Sequence, residues 1–224
     1  TEKRLNASTL KVVSVAGASG AVGRELLEKL LANESYSQVH TAVRRPGNLK
    51  HPKLHAHLVD FETPQSLAGF VAAADELFCC LGTTIKTARS KPAFKRVDYG
   101  YVKQLAELAA QHEVGRFLTV SAMGANLESK VFYNRIKGEM EQAVSAQGLL
   151  AVDIFRPSLL IGGRDEFRAG EAAGKLAMKL VNPLLLGSSR NYRGIHPERV
   201  AQAMVDAAAS SNQGVTIHQL GSYA

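Results

Sequence analysis

The chain has 224 residues, of which 46% are apolar and 21% are charged, a balance typical of a soluble α/β protein and unlike a disordered or coiled-coil chain. This length lets one domain bury a full core, so we expect a single domain over residues 1–224. Lysine and arginine exceed aspartate and glutamate by 27 − 20 = +7, but the basic residues are spread without interleaved aromatic residues, which argues against nucleic-acid binding and favours an anionic small ligand.

The amino-terminal part predicts a strand, a tight turn and a helix, followed by two more strands. Lys11–Ala16 is apolar and β-branched, and it leads through GASGAVG into a leucine-rich helix, Arg24–Leu31. Val39–Val43 and Leu54–Val59 are predicted as the second and third strands. The intervening helix is long enough for a right-handed crossover between parallel strands.

The middle of the chain continues to alternate strands and helices. Apolar runs predict buried strands at Glu76–Leu81, Arg116–Val120 and Leu150–Phe155. Helical periodicity between them predicts helices over about Asp98–His112 and Phe132–Ala146. This alternation predicts a doubly wound Rossmann-type α/β fold, with a parallel sheet and helices on both faces.

The pattern is less regular beyond Arg156-Pro157, where several glycines follow. A helix is predicted around Ala172–Val181. Another helix is predicted to start at His196-Pro197 and to run to about Ala209, because proline suits a first helical position. A strand at Val215–Leu220 is predicted to complete the sheet.

The sequence contains two cysteines, Cys79 and Cys80, which are adjacent. Successive strand side chains point to opposite faces, so a disulfide between them is geometrically unfavourable and both are predicted to be small core residues. Near Thr1 no basic stretch precedes an apolar one, and no apolar run approaches the length of a membrane span. We therefore expect a reducing, cytoplasmic location without a membrane anchor.

Three glycines, Gly17, Gly20 and Gly23, form a G-x-x-G-x-x-G turn between the first predicted strand and helix. Such glycines permit a tight turn, close approach of the backbone to a pyrophosphate, and close packing of helix on strand. Free N–H groups and the helix dipole favour the anion. A Walker-type loop needs lysine and serine or threonine after its last glycine, whereas Arg24-Glu25 follow here. The turn therefore predicts a dinucleotide site, with a ligand-free glycine turn as the alternative.

Arg44 and Arg45 follow the second predicted strand, where NAD-preferring proteins have an acidic residue for the ribose hydroxyls. A guanidinium can bind the 2′-phosphate of NADP(H) through two parallel hydrogen bonds, and Arg24 adds positive charge nearby. The pattern therefore predicts NADP(H) rather than NAD(H). Two exposed arginines before a Pro-Gly turn are the alternative interpretation.

Residues after the third and fourth predicted strands extend the predicted crevice. Asp60, followed by Phe61, ends the third strand, where its carboxylate could accept a hydrogen bond from an adenine amino group or cap the next turn. Leu81, Gly82 and Thr83 mark the carboxyl end of the fourth strand, which lines the same crevice. The small and hydroxyl residues there allow close approach of a cofactor.

Tyr133 and Lys137 form a Y-x-x-x-K motif on a predicted helix, and this spacing places both side chains on one helix face. An ammonium beside a phenol stabilises the phenolate and lowers the phenol pKa from about 10, which suits proton exchange near neutral pH. Ser121 ends the fifth predicted strand and could hold the reacting oxygen during hydride exchange with a nicotinamide. The alternative interpretation is an exposed helix that carries tyrosine and lysine by chance.

The order of glycine turn, strand-end serine and Tyr-Lys helix, with the segments FCCLGTT, RVDYGYVKQLAELA, VSAMGAN, YNRIKGEMEQ and FRPSLL, resembles the atypical branch of the short-chain dehydrogenase/reductase superfamily. Within that branch it is similar to the Tat-interacting protein-like oxidoreductases, over nearly the whole chain. The resemblance implies a triad of Ser121, Tyr133 and Lys137, with Lys137 also holding the nicotinamide ribose. Together the motifs and the resemblance place NADP(H) against Gly17, Ser19, Gly20, Ala21, Val22, Gly23, Arg44, Arg45, Asp60, Phe61, Leu81, Gly82, Thr83, Lys137, Pro157 and Ser158.

The resemblance also implies a small carboxyl-terminal, substrate-side region. Residues 159–194 are expected to shape the substrate pocket, with Pro157 and Ser158 near the nicotinamide. Similar proteins often carry Ser-Ser after the fifth strand, where this chain has Ser121-Ala122 and therefore a single hydroxyl.

Two classes of function follow from these motifs. The favoured one is an NADP(H)-dependent oxidoreductase acting on a small carbonyl, alcohol or nucleotide-sugar substrate, with a sugar-nucleotide epimerase-like enzyme as a variant. The other is a cofactor-bound regulatory protein that senses the NADP redox state and contacts a protein partner. Retention of serine, tyrosine and lysine together favours the enzyme, and a homodimer is left open. No metal is predicted, because no cysteine or acidic set accompanies His51, His55 and His57.

Overall fold

A computed structural model describes residues 10–161 and 194–221. Its strands are β1 Lys11–Ala16, β2 Tyr36–Val43, β3 Leu54–Leu58, β4 Glu76–Cys79, β5 Arg116–Val120, β6 Ala151–Pro157 and β7 Gly214–Leu220. They form one seven-stranded sheet in the order β3-β2-β1-β4-β5-β6-β7. Each neighbouring pair is parallel. This order confirms the doubly wound Rossmann-type sheet.

Helices cover both faces of the sheet. They are α1 Ala21–Ala32, α2 Ala68–Ala72, α3 Ile85–Ala88, α4 Lys91–Lys95, α5 Val102–Gln111, α6 Phe132–Ser145 and α7 Pro197–Ala208, with a 3₁₀ turn at Pro64–Leu67 and a π-helical turn at Arg96–Tyr101. On one face, α1 and α7 bury side chains such as Leu26 and Met204 in a common core. On the other, α2, α5 and α6 bury Phe70, Leu105 and Met140. Burial of these apolar faces is the main stabilising contribution.

The long strands and helices lie where the periodicity predicts them, and the differences are local. α1 begins at Ala21 rather than Arg24, because Gly20 is the helix cap and its carbonyl accepts the Arg24 N–H at 3.1 Å. The helix predicted from Asp98 is preceded directly by α4 and contains the π-helical turn. Ser90 caps α4 by accepting the Ala93 N–H at 3.2 Å, a local signal that the apolar period does not carry.

The strand order places the first turn and the end of β4 side by side. β1 lies between β2 and β4, so the chain leaves β1 toward β2 and β3 and then returns to the other side of β1. Ligands of open α/β sheets bind outside the carboxyl ends of the strands at such a reversal. The fold therefore positions a site above β1 and β4.

Some expectations extend past the described ranges. The helix predicted around Ala172–Val181 lies outside them, and the single domain over residues 1–224 stays a prediction. Within residues 10–161 and 194–221, no helix is both long enough and apolar enough to cross a membrane.

Candidate active site and cofactor crevice

The glycine turn between β1 and α1 is held by close backbone contacts. Gly17 has φ +83°, and a Cβ there would lie 2.6 Å from the carbonyl carbon and oxygen of Cys80. At Gly23 a Cβ would lie 2.1 Å from the Gly17 carbonyl oxygen. Both glycines are therefore needed by the turn itself, because any side chain would collide with backbone atoms.

Gly20 has a different environment from the other two glycines of the turn. Its N–H donates to the Gly17 carbonyl at 3.0 Å, and a Cβ would lie 3.3 Å from that oxygen. As the cap of α1, it has no side chain to satisfy the first N–H groups of the helix. These N–H groups and the helix dipole suit an anion. The turn therefore fits the pyrophosphate of a dinucleotide.

The remaining residues of the turn differ in what they can offer a ligand. Ser19 is exposed and Ala21 is half-buried, so both have accessible atoms. Val22 is buried in the core of the α1 face, so its backbone is the part available to a cofactor.

The residues after β2 and β3 lie at the same edge of the sheet. Arg44 and Arg45 directly follow β2, and both are exposed. The carboxylate of Asp60 accepts hydrogen bonds within its own turn, from the Glu62 N–H at 3.0 Å and the Thr63 hydroxyl at 3.0 Å. The structure thus shows the turn-capping arrangement for Asp60, and its contact with adenine stays a prediction.

Phe61 is buried, and its ring packs against that of Tyr101 with 5.1 Å between centroids. At the same edge, Leu81 is half-buried and Gly82 is exposed. The backbone N–H of Leu81 lies beside Gly17, 2.9 Å from the position a Cβ would take there. The end of β4 therefore borders the glycine turn directly.

Asp98 joins the end of β4 to the helix that carries the Tyr-Lys motif. It lies in the π-helical turn and is 1% exposed. One carboxylate oxygen accepts the Thr83 N–H at 2.8 Å. The other lies 2.8 Å from Nζ of Lys137. This single buried carboxylate fixes both Thr83 and Lys137 relative to the crevice.

Tyr133 and Lys137 lie one turn apart on α6, and Lys137 reaches this carboxylate. Lys137 is 3% exposed. Burial by itself lowers the pKa of Lys137, but the Asp98 carboxylate and the Tyr133 phenol together outweigh it, so the pKa is raised. The Tyr133 ring packs against Phe94, with 5.6 Å between centroids. Lys137 is therefore held as an ammonium ion within electrostatic reach of the phenol.

Ser121 takes part in a second buried network beside Lys137. Its hydroxyl donates to Oε1 of Glu141 at 2.5 Å. Arg156 donates to both oxygens of the same carboxylate, from Nε at 2.9 Å and from Nη2 at 2.5 Å. Because a hydroxyl has one proton, Ser121 in this arrangement offers a reacting group only its lone pairs.

We expect Ser121→Ala to lower kcat/KM by no more than about tenfold, the value of one neutral hydrogen bond. The fold should persist, because Glu141 keeps both bonds to Arg156. Steady-state kinetics with a melting curve test this. A loss of 10²-fold or more in an unchanged fold would show that the hydroxyl turns away from Glu141 and donates to the reacting oxygen.

The carboxyl ends of β5, β6 and β7 are tied together next to this network. The Pro157 carbonyl accepts the Met123 N–H at 3.0 Å, and the Ser158 N–H donates to the Leu220 carbonyl at 2.9 Å. Both Pro157 and Ser158 are buried. Of the expected pocket segment 159–194, residues 162–193 lie outside the described part of the chain.

Histidines at the β2–β3 edge form a cluster of their own. His57 Nε2 lies 2.9 Å from His40 Nδ1, and His40 Nε2 lies 2.9 Å from the Gln38 side-chain oxygen. Burial lowers the pKa of His40 to about 4, so its ring is neutral at pH 7. In the described ranges, no three potential ligands are grouped so as to hold a metal ion.

Sequence reasoning did not single out Asp98, Glu141 or Arg156. Glu141 continues the stripe of Tyr133 and Lys137 by another four residues, and that spacing could have indicated it. Asp98 lies at the start of the predicted helix, where an acidic residue is ordinarily explained by its favourable interaction with the helix dipole. Its pairing with Lys137 depends on the π-helical turn, for which the sequence pattern gives no signal.

Comparisons with known proteins show the family and the fold of the chain. Residues 17–169 match the model of a family described as NAD(P)H-binding. Protein HTATIP2 of Rattus norvegicus is 35% identical over 207 residues, which are 91% of this chain and 84% of that protein. A short-chain dehydrogenase/reductase family oxidoreductase from Burkholderia thailandensis has a similar structure, with TM-score 0.71 and 16% identity over 95% of this chain and 92% of that one.

A fungal relative corrects the expected location. Protein FMP52-1, mitochondrial, of Scheffersomyces stipitis is 28% identical over 208 residues, 88% of each chain. Further fungal relatives are also named mitochondrial. The cytoplasmic expectation is therefore wrong as an inference from this sequence. It rested on adjacent thiols and on the residues near Thr1, and neither distinguishes the cytoplasm from another reducing compartment.

Proposed function

The chain belongs to the NAD(P)H-binding family of the atypical short-chain dehydrogenase/reductases, and from this premise we propose that it is an NADP(H)-dependent oxidoreductase of a small carbonyl or alcohol. The observation that carries the proposal is a continuous path of contacts. Gly17 abuts the backbone of Cys80 and Leu81, the Thr83 N–H binds Asp98, and Asp98 pairs with Lys137. A dinucleotide turn and an acid–base pair are thereby joined at one edge of the sheet.

The residues of the crevice fit a nicotinamide dinucleotide. Gly20 leaves the backbone open at the helix start, which suits a pyrophosphate. Arg44 and Arg45 suit a 2′-phosphate, and Lys137 suits the nicotinamide ribose. Pro157 and Ser158 are proposed to border the nicotinamide. When bound, the cofactor supplies or accepts the hydride.

The protein's own part in the reaction is proton transfer. Tyr133 donates a proton to the developing alkoxide during reduction and accepts it during oxidation. Lys137 stays charged because the Asp98 carboxylate 2.8 Å away offsets the cost of burying its ammonium. The Ser121 hydroxyl donates to Glu141 and so presents only lone pairs to the crevice, which leaves the single proton of the reacting hydroxyl to Tyr133. Residues 159–194 are proposed to shape the substrate pocket.

Arg44→Ala is expected to lower affinity for NADPH at least tenfold, which corresponds to about 1.4 kcal/mol, the value of one charge-assisted contact. Affinity for NADH should stay unchanged in the same variant, since NADH lacks the 2′-phosphate. Calorimetric titration of both cofactors measures this. Equal affinities of the wild-type protein for NADPH and NADH would show that Arg44 does not bind the 2′-phosphate.

Turnover is tested by screening aldehydes, quinones and nucleotide sugars for oxidation of NADPH. A regulatory protein that only binds the cofactor predicts tight NADPH binding with no oxidation on any substrate. An epimerase predicts interconversion of a nucleotide sugar with no net consumption of cofactor. The proposed oxidoreductase predicts stoichiometric consumption of NADPH and carbonyl.

A further inference from the structure

Glu141 joins three elements, because it binds the residue that follows β5 and a residue of β6 from its own place on α6. Its side chain is buried, with 6% of the residue exposed. Ser121 donates its hydroxyl to Oε1 at 2.5 Å. Arg156 donates Nε to Oε1 at 2.9 Å and Nη2 to Oε2 at 2.5 Å. Two charge-assisted bonds from one guanidinium hold Glu141 as a carboxylate.

This network lies next to the Tyr-Lys pair. Lys137 and Glu141 are four residues apart on α6, a spacing that places both side chains on one helix face with about 5–6 Å between Cβ atoms. Lys137 pairs with Asp98, and Glu141 binds Ser121. The Ser121 side chain is thereby held within one helical turn of Lys137.

The direction of the bond between Ser121 and Glu141 decides what Ser121 can bind. A hydroxyl has one proton and two lone pairs, and a carboxylate only accepts, so the Ser121 proton is committed to Glu141. Ser121 can then meet a ligand only as an acceptor. A carbonyl oxygen is an acceptor too, and the one proton of a reacting hydroxyl belongs to Tyr133. The donor for Ser121 must therefore come from a second group of the ligand.

We propose that Glu141, held by Arg156, is a positioning residue that keeps Ser121 as a hydrogen-bond acceptor, and that the site thereby selects carbonyl substrates with a neighbouring hydroxyl, the α-hydroxy ketones and α-hydroxy aldehydes. This inference rests on the proposed function and names the substrate class of the same site. In reduction, the carbonyl carbon receives the hydride of NADPH and its oxygen receives the Tyr133 proton, which solvent replaces. The neighbouring hydroxyl donates to Ser121 and is unchanged, so the product is a 1,2-diol.

The test compares hydroxyacetone with butanone, in which a methyl group replaces the hydroxyl. Each ketone is titrated into the complex with NADP⁺, in which it cannot be reduced, and binding is followed by NMR. We expect the wild-type protein to bind hydroxyacetone about fivefold more tightly than butanone, the value of one neutral hydrogen bond. Without an acceptor for its hydroxyl, hydroxyacetone would bind more weakly than butanone, because burying an unpaired hydroxyl is unfavourable.

Two variants test the roles of Ser121 and Glu141. Ser121→Ala should remove the preference for hydroxyacetone, because alanine has no lone pair to offer, while Glu141 keeps both bonds to Arg156. Glu141→Gln should also remove it. The new amide accepts from Arg156 through its oxygen and donates to the Ser121 oxygen through its nitrogen, which occupies the acceptor. A merely structural role of Glu141 would weaken both ketones alike and leave the ratio of their affinities unchanged.

Glu139→Gln is the matched control on the same helix. Its carboxylate pairs with Lys95 at 2.7 Å, so the substitution removes the same charge from α6 and breaks an ion pair away from Ser121. This variant should keep the fivefold preference. Loss of the preference in Glu139→Gln would show a general effect of charge on α6 and overturn the proposal.

The proposal is also overturned if the wild-type protein binds the two ketones equally or binds neither, or if Ser121→Ala or a folded Glu141→Gln keeps the preference. Circular dichroism shows whether Glu141→Gln is folded, and if it is not, Ser121→Ala alone decides. The titration needs no turnover. Equal binding of the two ketones by a protein that oxidises NADPH with simple aldehydes would overturn this inference and leave the proposed function standing.

Discussion

Replacing Tyr133 by phenylalanine is expected to lower turnover of any carbonyl substrate about 10²-fold or more, because general-acid catalysis contributes about that much. NADPH affinity should stay nearly unchanged. The substitution deletes one hydroxyl and keeps the ring, so the contact with Phe94 persists. Lys137 also keeps its ion pair with Asp98. Steady-state kinetics and calorimetry on the same preparation measure both quantities.

Tyr101→Phe is the matched control for this substitution. The Tyr101 hydroxyl binds the exposed Glu62 at 2.5 Å, so its removal should leave turnover intact.

Lys137→Ala is a less clean test, since it leaves Asp98 buried without its cation, and breaking a buried pair costs about 3–5 kcal/mol. An active wild type matched by Tyr133→Phe would refute the proton-transfer role of Tyr133. If the protein only senses the cofactor, Tyr133→Phe should show no difference between its effect on turnover and its effect on NADPH binding.

Gly20→Val is expected to weaken NADPH binding by about 10²-fold or more, equivalent to about 2.7 kcal/mol, while the protein stays folded. The added Cβ would lie 3.3 Å from the Gly17 carbonyl oxygen, which a small adjustment accommodates. The methyl groups would then occupy the place where the pyrophosphate approaches the start of α1. The cost to the helix cap is about 1 kcal/mol. Calorimetry measures the affinity and circular dichroism the fold.

Gly23→Ala, in the same turn, is expected to destabilise the fold itself, whereas Gly20→Val should leave the protein folded. Its Cβ would lie 2.1 Å from the Gly17 carbonyl oxygen, so the backbone of the turn would have to move. We expect a lower melting temperature even without cofactor, since forced overpacking costs about 1–3 kcal/mol or more. If Gly20→Val kept full NADPH affinity, the glycine turn would not be the phosphate site.

The parallel sheet was predictable because its inner strands are largely buried, although the edge strands β3 and β7 are mostly exposed. Arg116–Val120 is apolar apart from Arg116 and Thr119, and glycines and prolines separate such runs from helices with a clear period. Short elements were not predictable. α3 and α4 depend on single capping hydrogen bonds, to Thr84 and Ser90, and bury too few residues to show a period.

The candidate site was predictable where chemistry follows local spacing, and less so where it depends on tertiary contacts. The glycine turn and the Tyr-Lys pair each lie within one short segment. Asp98 meets Lys137 from 39 residues away in sequence, 137 − 98, and Glu141 meets Arg156 across a helix and a strand. Such pairs form only when packing brings separate elements together, so no pattern along the chain indicates them.

The proposed hydride transfer takes place between a nicotinamide and a small carbonyl in this crevice. Its most direct test uses NADPH that carries deuterium at the transferable position of the nicotinamide, incubated with the protein and each carbonyl of the panel. We expect an alcohol product that contains one deuterium, detected by mass spectrometry, and an about 10²-fold slower appearance of that label with Tyr133→Phe. Tight NADPH binding with no labelled product from any carbonyl would contradict it.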